Sequence, residues 1–250
     1  MGIYTNTGLV KHAEKALSLP TKYMWGGILR PIEKQYDMLF RMYGTGAGTG
    51  YTAARWDELA KLRGKGYFGV DCIGLIKSYY WSGDPDGGTG SPKYGAAGFP
   101  DVNAGFMYKQ SKVKGKIGDI PETPGLIVYS KTHPHVGIYI GGGYTIESTL
   151  GSRGDGVVRR RLDNFWECFF ECPYIEYVRS SSVGVKRPYY PIGCKVRIRD
   201  TAKCYSGTSI AIPEKYKAGN AVFTVAKVIS ERALLQELYS WVDISDIEPA

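Results

Sequence analysis

The chain has 250 residues, 43% hydrophobic and 22% charged, with a formal net charge of +8 and a sequence pI near 9.1. This ordinary globular balance suits one large domain, or a medium domain with a small companion. No stretch approaches the ~20 continuous apolar residues of a membrane span, and the first residues lack a basic segment followed by an apolar one, so neither a span nor a secretory signal is expected.

The basic charge draws the protein to polyanions, and charge alone does not choose between nucleic acid, anionic membranes and acidic wall polymers. No Lys/Arg block reads as a DNA-binding arm. The longest run, Arg159-Arg160-Arg161, reads as a solvated strand edge. The five cysteines (Cys72, Cys168, Cys172, Cys194 and Cys204) are odd in number and irregular in spacing, which argues against a disulfide framework. Cys168 and Cys172 lack a second pair at zinc-finger spacing, and apart from Cys72 the thiols read as small buried side chains. The 33 glycines call for many tight turns, and the 20 tyrosines offer amphipathic surface for glycans or peptides.

In chain order, residues 8–17 read as an amphipathic helix with Leu9, Ala13 and Ala16 on one face, which leaves His12 at the surface. From Pro31 to Tyr67 no clean period emerges except a short helix near Ala53–Leu62. Residues 71–80 read as a helix capped by Asp71, with an apolar stripe of Ile73, Ile76 and Tyr80. A Gly/Pro/Ser-rich loop follows at 82–100. Short β-branched or aromatic runs bounded by Gly or Pro then predict strands at 126–129, 135–140, 144–148 and 157–161. A helix followed by adjacent strands gives an α+β domain. Residues 179–190 read as a linker, with the boundary near 185. Beyond it, runs at 195–199, 222–229, 233–238 and 240–242 suggest a small all-β barrel.

Cys72 starts a predicted helix, where N–H dipoles favour a thiolate, but a lone cysteine is ordinarily core unless a base stands near it. The chain has three histidines. Alternation in HVGIYI puts Val136, Ile138 and Ile140 on one face and His135, Gly137 and Tyr139 on the other, with space beside Gly137 for a thiolate. A three-residue loop Gly141-Gly142-Gly143 would set Gly137 opposite Glu147 and bring Glu147 diagonally beside His135; a two-residue loop would present Ser148 instead. A carboxylate there orients the imidazole and stabilises the imidazolium. His133 and His135 also form an H-x-H pair, a weak metal alternative.

The stretches YMWGG (23–27), GVDCIGL (69–75) and PHVGIYIGGGYTIES (134–148), with PGLIVY (124–129) before the last, resemble the motif blocks of the NlpC-type cell-wall peptidases, in the order of that family and across most of 8–178. The resemblance implies a papain-like α+β catalytic domain over 1–178, with a helix bearing the cysteine packed on an antiparallel sheet bearing the histidine. Cys72 would be the nucleophile, His135 the base and Glu147 the third polar residue, a position more often held by histidine. Tyr23 would line the site near the nucleophile, contacting substrate or oxyanion, and Asp71 would cap the helix and orient the site. Ile73 stands where serine is usual, and the segment between Gly27 and Asp71 is longer than usual, as for a lobe over the cleft. Residues 191–250 resemble bacterial Src-homology-3-like wall-binding domains in KVRIR and SWVDISDIE, with Trp241, Tyr205 and Tyr239 as aromatic candidates for ligand contact.

The resemblance implies a peptidoglycan hydrolase that cuts an amide of the stem peptide, between D-glutamate and the diamino acid. Bacterial peptidoglycan is the expected partner, with anionic wall polymers as a further one; no cofactor, metal or nucleic acid is expected. A wall-binding tail without a secretory signal resembles a bacteriophage endolysin, made in the bacterial cytoplasm and released through a holin. The alternatives are an N-acetylmuramoyl-L-alanine amidase using the same site, an inactive wall-binding protein, a permuted papain-like acyltransferase (in which histidine would precede cysteine) and, on charge alone, a DNA-binding protein.

Overall fold

The computed structural model describes residues 3–46, 48–87, 91–178, 190, 192–217, 221–229 and 232–250. The chain divides into two compact units, Met1–Ser180 and Ser181–Ala250. Except for Tyr190, the linker expected at 179–190 lies outside the described residues.

The first unit runs α1 (Asn6–Leu17), β1 (Thr21–Tyr23), β2 (Arg30–Pro31), α2 (Tyr36–Tyr43), α3 (Ala53–Leu62), β3 (Phe68–Val70), α4 (Cys72–Trp81), α5 (Ala104–Gln110), β4 (Lys114–Lys116), β5 (Ile127–Ser130), β6 (His135–Gly141), β7 (Tyr144–Thr149), β8 (Gly156–Arg161) and β9 (Cys168–Phe170). It is a mixed α and β unit. Six antiparallel strands form one sheet in the order β4-β9-β5-β6-β7-β8. A second, three-stranded sheet has the order β1-β3-β2, with β1 parallel to β3.

Helix α1 begins where Thr5 Oγ1 accepts the Gly8 N–H at 3.1 Å, and it buries Leu9, Ala13 and Ala16 completely. Its buried stripe is wider than the period alone suggests. His12, expected at the surface, is buried, its ring 5.7 Å from that of Tyr79. The helix is in contact with α4 and with β6, β7 and β8, so positions beside the apolar stripe are enclosed too. Helix α4 departs further from its predicted stripe. Of Ile73, Ile76 and Tyr80 only Ile76 is fully buried, while Leu75, Lys77, Ser78, Tyr79 and Trp81 are buried around the rest of the helix. A helix enclosed nearly all round carries no single apolar face. Its buried ammonium, Lys77, is paired with Asp101.

Val136, Ile138 and Ile146 pack with Leu75, Ile76 and Leu9 on one face of the large sheet. Leu126, Val128, Tyr139 and Trp166 cluster separately. Arg159 and Arg161 on the edge strand β8 are exposed and Arg160 is half-buried.

The segment 28–70 packs on Met24, and Ile32, Leu39, Tyr51, Trp56 and Leu59 form a core with it. Helix α3 falls at the expected Ala53–Leu62. Helix α2 was not visible in the period: of its apolar residues only Leu39 is buried, while Met38, Phe40 and Met42 are exposed beside Asp37 and Arg41. Gln35 ties this insertion to the sheet. Its Oε1 accepts the Ile28 N–H at 3.1 Å, and its Nε2 donates to the carbonyls of Ile28, Arg30 and Gly69 at 3.0, 2.9 and 2.8 Å. Gln35→Ala strands those buried backbone groups and is expected to cost about 2–4 kcal/mol. Thermal unfolding checks this, and an unchanged melting temperature would contradict it.

The second unit comprises β10 (Lys195–Ile198), α6 (Glu214–Lys217), β11 (Phe223–Ile229), β12 (Arg232–Leu235), β13 (Ser240–Asp243) and β14 (Ile247–Pro249). The strands form a five-stranded antiparallel sheet in the order β13-β12-β11-β10-β14, over a core that includes Val196, Ile198, Phe223, Val225, Leu235, Val242 and Ile247. The strand expected at 233–238 ends at Leu235, and residues 236–239 turn into β13. Tyr205 packs against the core, whereas Tyr239 is 86% exposed at φ +49°.

Candidate active site

Cys72 is the first residue of α4, so its N–H has no intrahelical acceptor. Three contacts fix this position from outside the helix. Met24 N–H donates to the Val70 carbonyl at 3.1 Å, Asp71 N–H donates to the Gly27 carbonyl at 3.1 Å, and Ser148 Oγ donates to the Val70 carbonyl at 2.7 Å. Asp71 caps the helix. One oxygen accepts Gly74 N–H at 2.5 Å, and the other accepts Gly26 N–H at 2.7 Å. Burial pushes the Asp71 carboxyl up, against the pull of those two bonds. Gly26 sits at φ +72°, and the Tyr43 ring leaves no room there for a Cβ. The 24–27 turn approaches α4 closely, because a Cβ at Gly74 would stand 1.9 Å from the Gly27 carbonyl oxygen.

His135 opens β6. The turn before it is held by Glu167, whose Oε1 accepts the N–H groups of Lys131 and Thr132 at 2.9 and 2.7 Å. The His135 side chain is hydrogen-bonded to Glu147, Nε2 to Oε2 at 2.6 Å, and Cys72 adds to the rise of its pKa. With Nε2 engaged by the carboxylate, Nδ1 is the nitrogen left for the thiol. Burial pulls the imidazole pKa down, but the bonds and charges of Cys72 and Glu147 outweigh it and leave it pushed up to about 9.

Glu147 arrives by a route different from the expected three-residue loop. The turn is the two residues Gly142-Gly143, both at positive φ, and an irregularity between Tyr139 and Gly141 restores the register the short turn would have shifted. Ile138 stands opposite Ile146, which sets Gly137 opposite Glu147. Ser148 consequently points the other way, to Val70. The space expected beside Gly137 is occupied: a Cβ there would stand 3.0 Å from Trp166, whose ring lies 5.6 Å from that of His135 at 19°. The glycine therefore makes room for the tryptophan and not for a thiolate.

Glu147 is fully buried. Burial raises its carboxyl pKa, but bonds to His135 and Arg153 outweigh that and hold it below the ordinary carboxylate value. Arg153 was not singled out from the sequence. Its Nη2 and Nε approach Glu147 Oε1 at 2.8 and 3.2 Å, and its Nη1 donates to Asp163 Oδ2 at 3.0 Å. A fully buried carboxylate on an inward strand position requires a cation nearby, and Arg153 is the next arginine along the chain.

Tyr23 is buried beside Val70 in the β1–β3 pairing; its phenol is pushed up by burial and then by the charges of Cys72 and Asp71. Its backbone is pinned. Tyr23 N–H donates to Asp155 Oδ1 at 3.1 Å, and Arg55 Nη2 donates both to the Tyr23 carbonyl and to Asp155 Oδ1, each at 2.6 Å. Arg55, Asp155 and Tyr51, which donates to the Trp25 carbonyl at 2.9 Å, link the insertion to the site; none was anticipated. Cys168 and Cys172 are buried away from any such pair, and burial pushes the Cys172 thiol up to about 12. Among the described residues no group of three or more His, Cys, Asp or Glu is arranged to hold a metal.

No protein-family model and no curated protein matches the chain. Among solved structures it is similar to RipB, a peptidoglycan hydrolase of Mycobacterium tuberculosis, with 19% identity and a TM-score of 0.38 over 69% of this chain and 65% of RipB. It thus spans about 65% of the length of RipB. The P60 domain of an antigen from M. avium subspecies paratuberculosis gives 21% identity and a TM-score of 0.38, covering 69% of this chain and 98% of that domain. RipD of M. tuberculosis, described as a non-catalytic NlpC/p60 domain protein adapted to peptidoglycan binding, gives 19% identity and a TM-score of 0.38, covering 66% and 95%.

Proposed function

We propose that the protein is a peptidoglycan hydrolase, a cysteine endopeptidase that cuts an amide of the wall stem peptide. The observation that carries this reading is the fully buried Glu147 carboxylate bonded to His135 at 2.6 Å, with Cys72 at a helix N-terminus and raising the pKa of the same imidazole. In this reading His135 draws the proton from Cys72 while the sulfur attacks the amide carbonyl, and Glu147 stabilises the imidazolium so formed. The Cys72 N–H, unpaired within the helix, donates to the developing oxyanion. The imidazolium then protonates the leaving amine as the C–N bond breaks, and water, activated by His135, hydrolyses the thioester to release the acid. Tyr23 borders the acyl group, and Asp71 keeps the helix start in place.

The substrate class comes from the resemblance of YMWGG, GVDCIGL and PHVGIYIGGGYTIES to NlpC-type blocks, which also favours the D-glutamyl–diamino acid bond and a papain-like fold. Residues 191–250 are proposed as a Src-homology-3-like barrel that holds the enzyme on the wall, an arrangement suited to a phage endolysin. The test is mass spectrometry of purified peptidoglycan digested with wild type and with Cys72→Ala. Fragments carrying a new free amine only with wild type support the peptidase, and their masses separate endopeptidase from amidase. Binding by both proteins with release by neither would make the chain a wall-binding protein.

A further inference from the structure

Glu147 has two oxygens, and they are divided: Oε2 faces His135 Nε2, and Oε1 faces the fork of Arg153. The carboxylate has no exposed surface, so water cannot take the place of either partner. A second cation, Arg160, places a buried Nε 3.9 Å from Oε1, beyond hydrogen-bonding distance, while its side chain is 37% exposed. Its Nη1 donates to the Arg153 carbonyl at 3.2 Å, which leaves it to brace the loop. Arg153 itself is held on its far side by Asp163 and lies 4.1 Å from the centroid of Phe165 and 5.5 Å from that of Trp166. Trp166 in turn stacks on His135. One guanidinium therefore touches both supports of the imidazole, its carboxylate partner and its aromatic neighbour.

We propose that Arg153 is a positioning residue of the Cys72–His135 pair, which keeps Glu147 ionised and aligned and, through Phe165 and Trp166, holds the plane of the His135 ring. This rests on the cysteine-peptidase reading above. The groups that set the protonation of Glu147 are His135, Arg153 and Arg160, and those facing Arg153 are Glu147 and Asp163. His135 is further subject to Cys72, and its charge is felt by Asp71. Without the guanidinium, Glu147 takes up a proton at higher pH and its oxygens are free to rotate. Lysine restores a charge but supplies neither the two-pronged contact nor the flat face against the aromatic rings.

The experiment is a pair of variants, Arg153→Met and Arg153→Lys, read by peptide-bond cleavage and, independently of substrate, by the pH dependence of Cys72 alkylation with iodoacetamide. Arg153→Met is expected to lower kcat by roughly 10²-fold with KM within about twofold, and to move the acid limb of both pH profiles up by about one unit. Arg153→Lys is expected to return the limb to its wild-type position while recovering part of the rate. If Arg153→Met is folded and its alkylation profile superimposes on that of wild type, the proposal is overturned. If Arg153→Met does not fold, Arg153→Lys carries the test, and wild-type kcat in that variant overturns it. A wild type that shows His135-dependent alkylation but cuts no peptidoglycan sinks the hydrolase reading, and the alkylation profiles still decide the role of Arg153.

Discussion

If the proposed cleavage of the stem peptide holds, Cys72→Ala is expected to lower its rate by on the order of 10⁵-fold, because Cys72 is the nucleophile of that mechanism and the other groups act only through its sulfur. The fold is expected to survive. Cys72 is nearly buried, but its position is set by the Asp71 cap and by bonds to Val70 and Gly27 rather than by the sulfur. The same variant reports on the histidine. Cys72 and Glu147 together push the His135 pKa to about 9 against the downward pull of burial, so deleting the sulfur lets it fall toward its ordinary value of 6.5. The sign of the stability effect follows. A raised histidine pKa contributes stability that is complete below the unfolded value and is lost as pH rises through the folded one. In wild type this contribution is full below about pH 6.5 and has run out by about pH 9, and in Cys72→Ala it should be smaller and gone at a lower pH. An NMR titration of the imidazole protons, with urea unfolding at pH 7 and pH 9, checks both. A His135 titration unchanged in Cys72→Ala would mean that thiol and imidazole are not coupled.

The pairing of His135 with Glu147 could be read from sequence because strand periodicity is two and both residues fall on the same phase across a glycine turn. The details of the turn could not. Three consecutive glycines permit two loop lengths, and the face shown after the turn depends on whether a bulge compensates. Asp71 as cap was legible for a local reason, since an aspartate one residue ahead of a helical run bonds its own backbone three residues on. Arg153, Arg55 and Asp155 left no comparable signal. Arg153 and Asp155 lie in the irregular segment between β7 and β8, and all three act over contacts set by tertiary packing. Strand β9 was missed for the opposite reason: Cys168, Phe169 and Phe170 are all buried, so no alternation marks the strand. His12 shows the limit of a helical stripe, whose phase gives the centre of the buried face but not its width.

Glu147→Ala is expected to be the most damaging single change to the structure and the site together. It deletes the shared anion, leaving Arg153 with Asp163 alone and His135 without its orienting partner. Breaking a buried ionic network from one side costs about 3–5 kcal/mol, because the surviving charge stays desolvated. In the proposed mechanism, loss of the group that orients the histidine base costs on the order of 10²–10⁴ in kcat. Glu147→Gln separates the two effects. It keeps the volume and can bond either partner but carries no charge, so most of the stability should return while the rate stays low. The pH dependence has a definite sign. The wild-type carboxyl is held below its ordinary value of 4.5, chiefly by His135 and Arg153 in opposition to burial. Its contribution is therefore complete above that value and is lost as pH falls through the lower folded one. The gap in unfolding free energy between wild type and Glu147→Ala should be full at pH 7 and should narrow in acid. A gap that stays constant down to pH 3 would mean that Glu147 acts by filling space, and that its charge orients nothing.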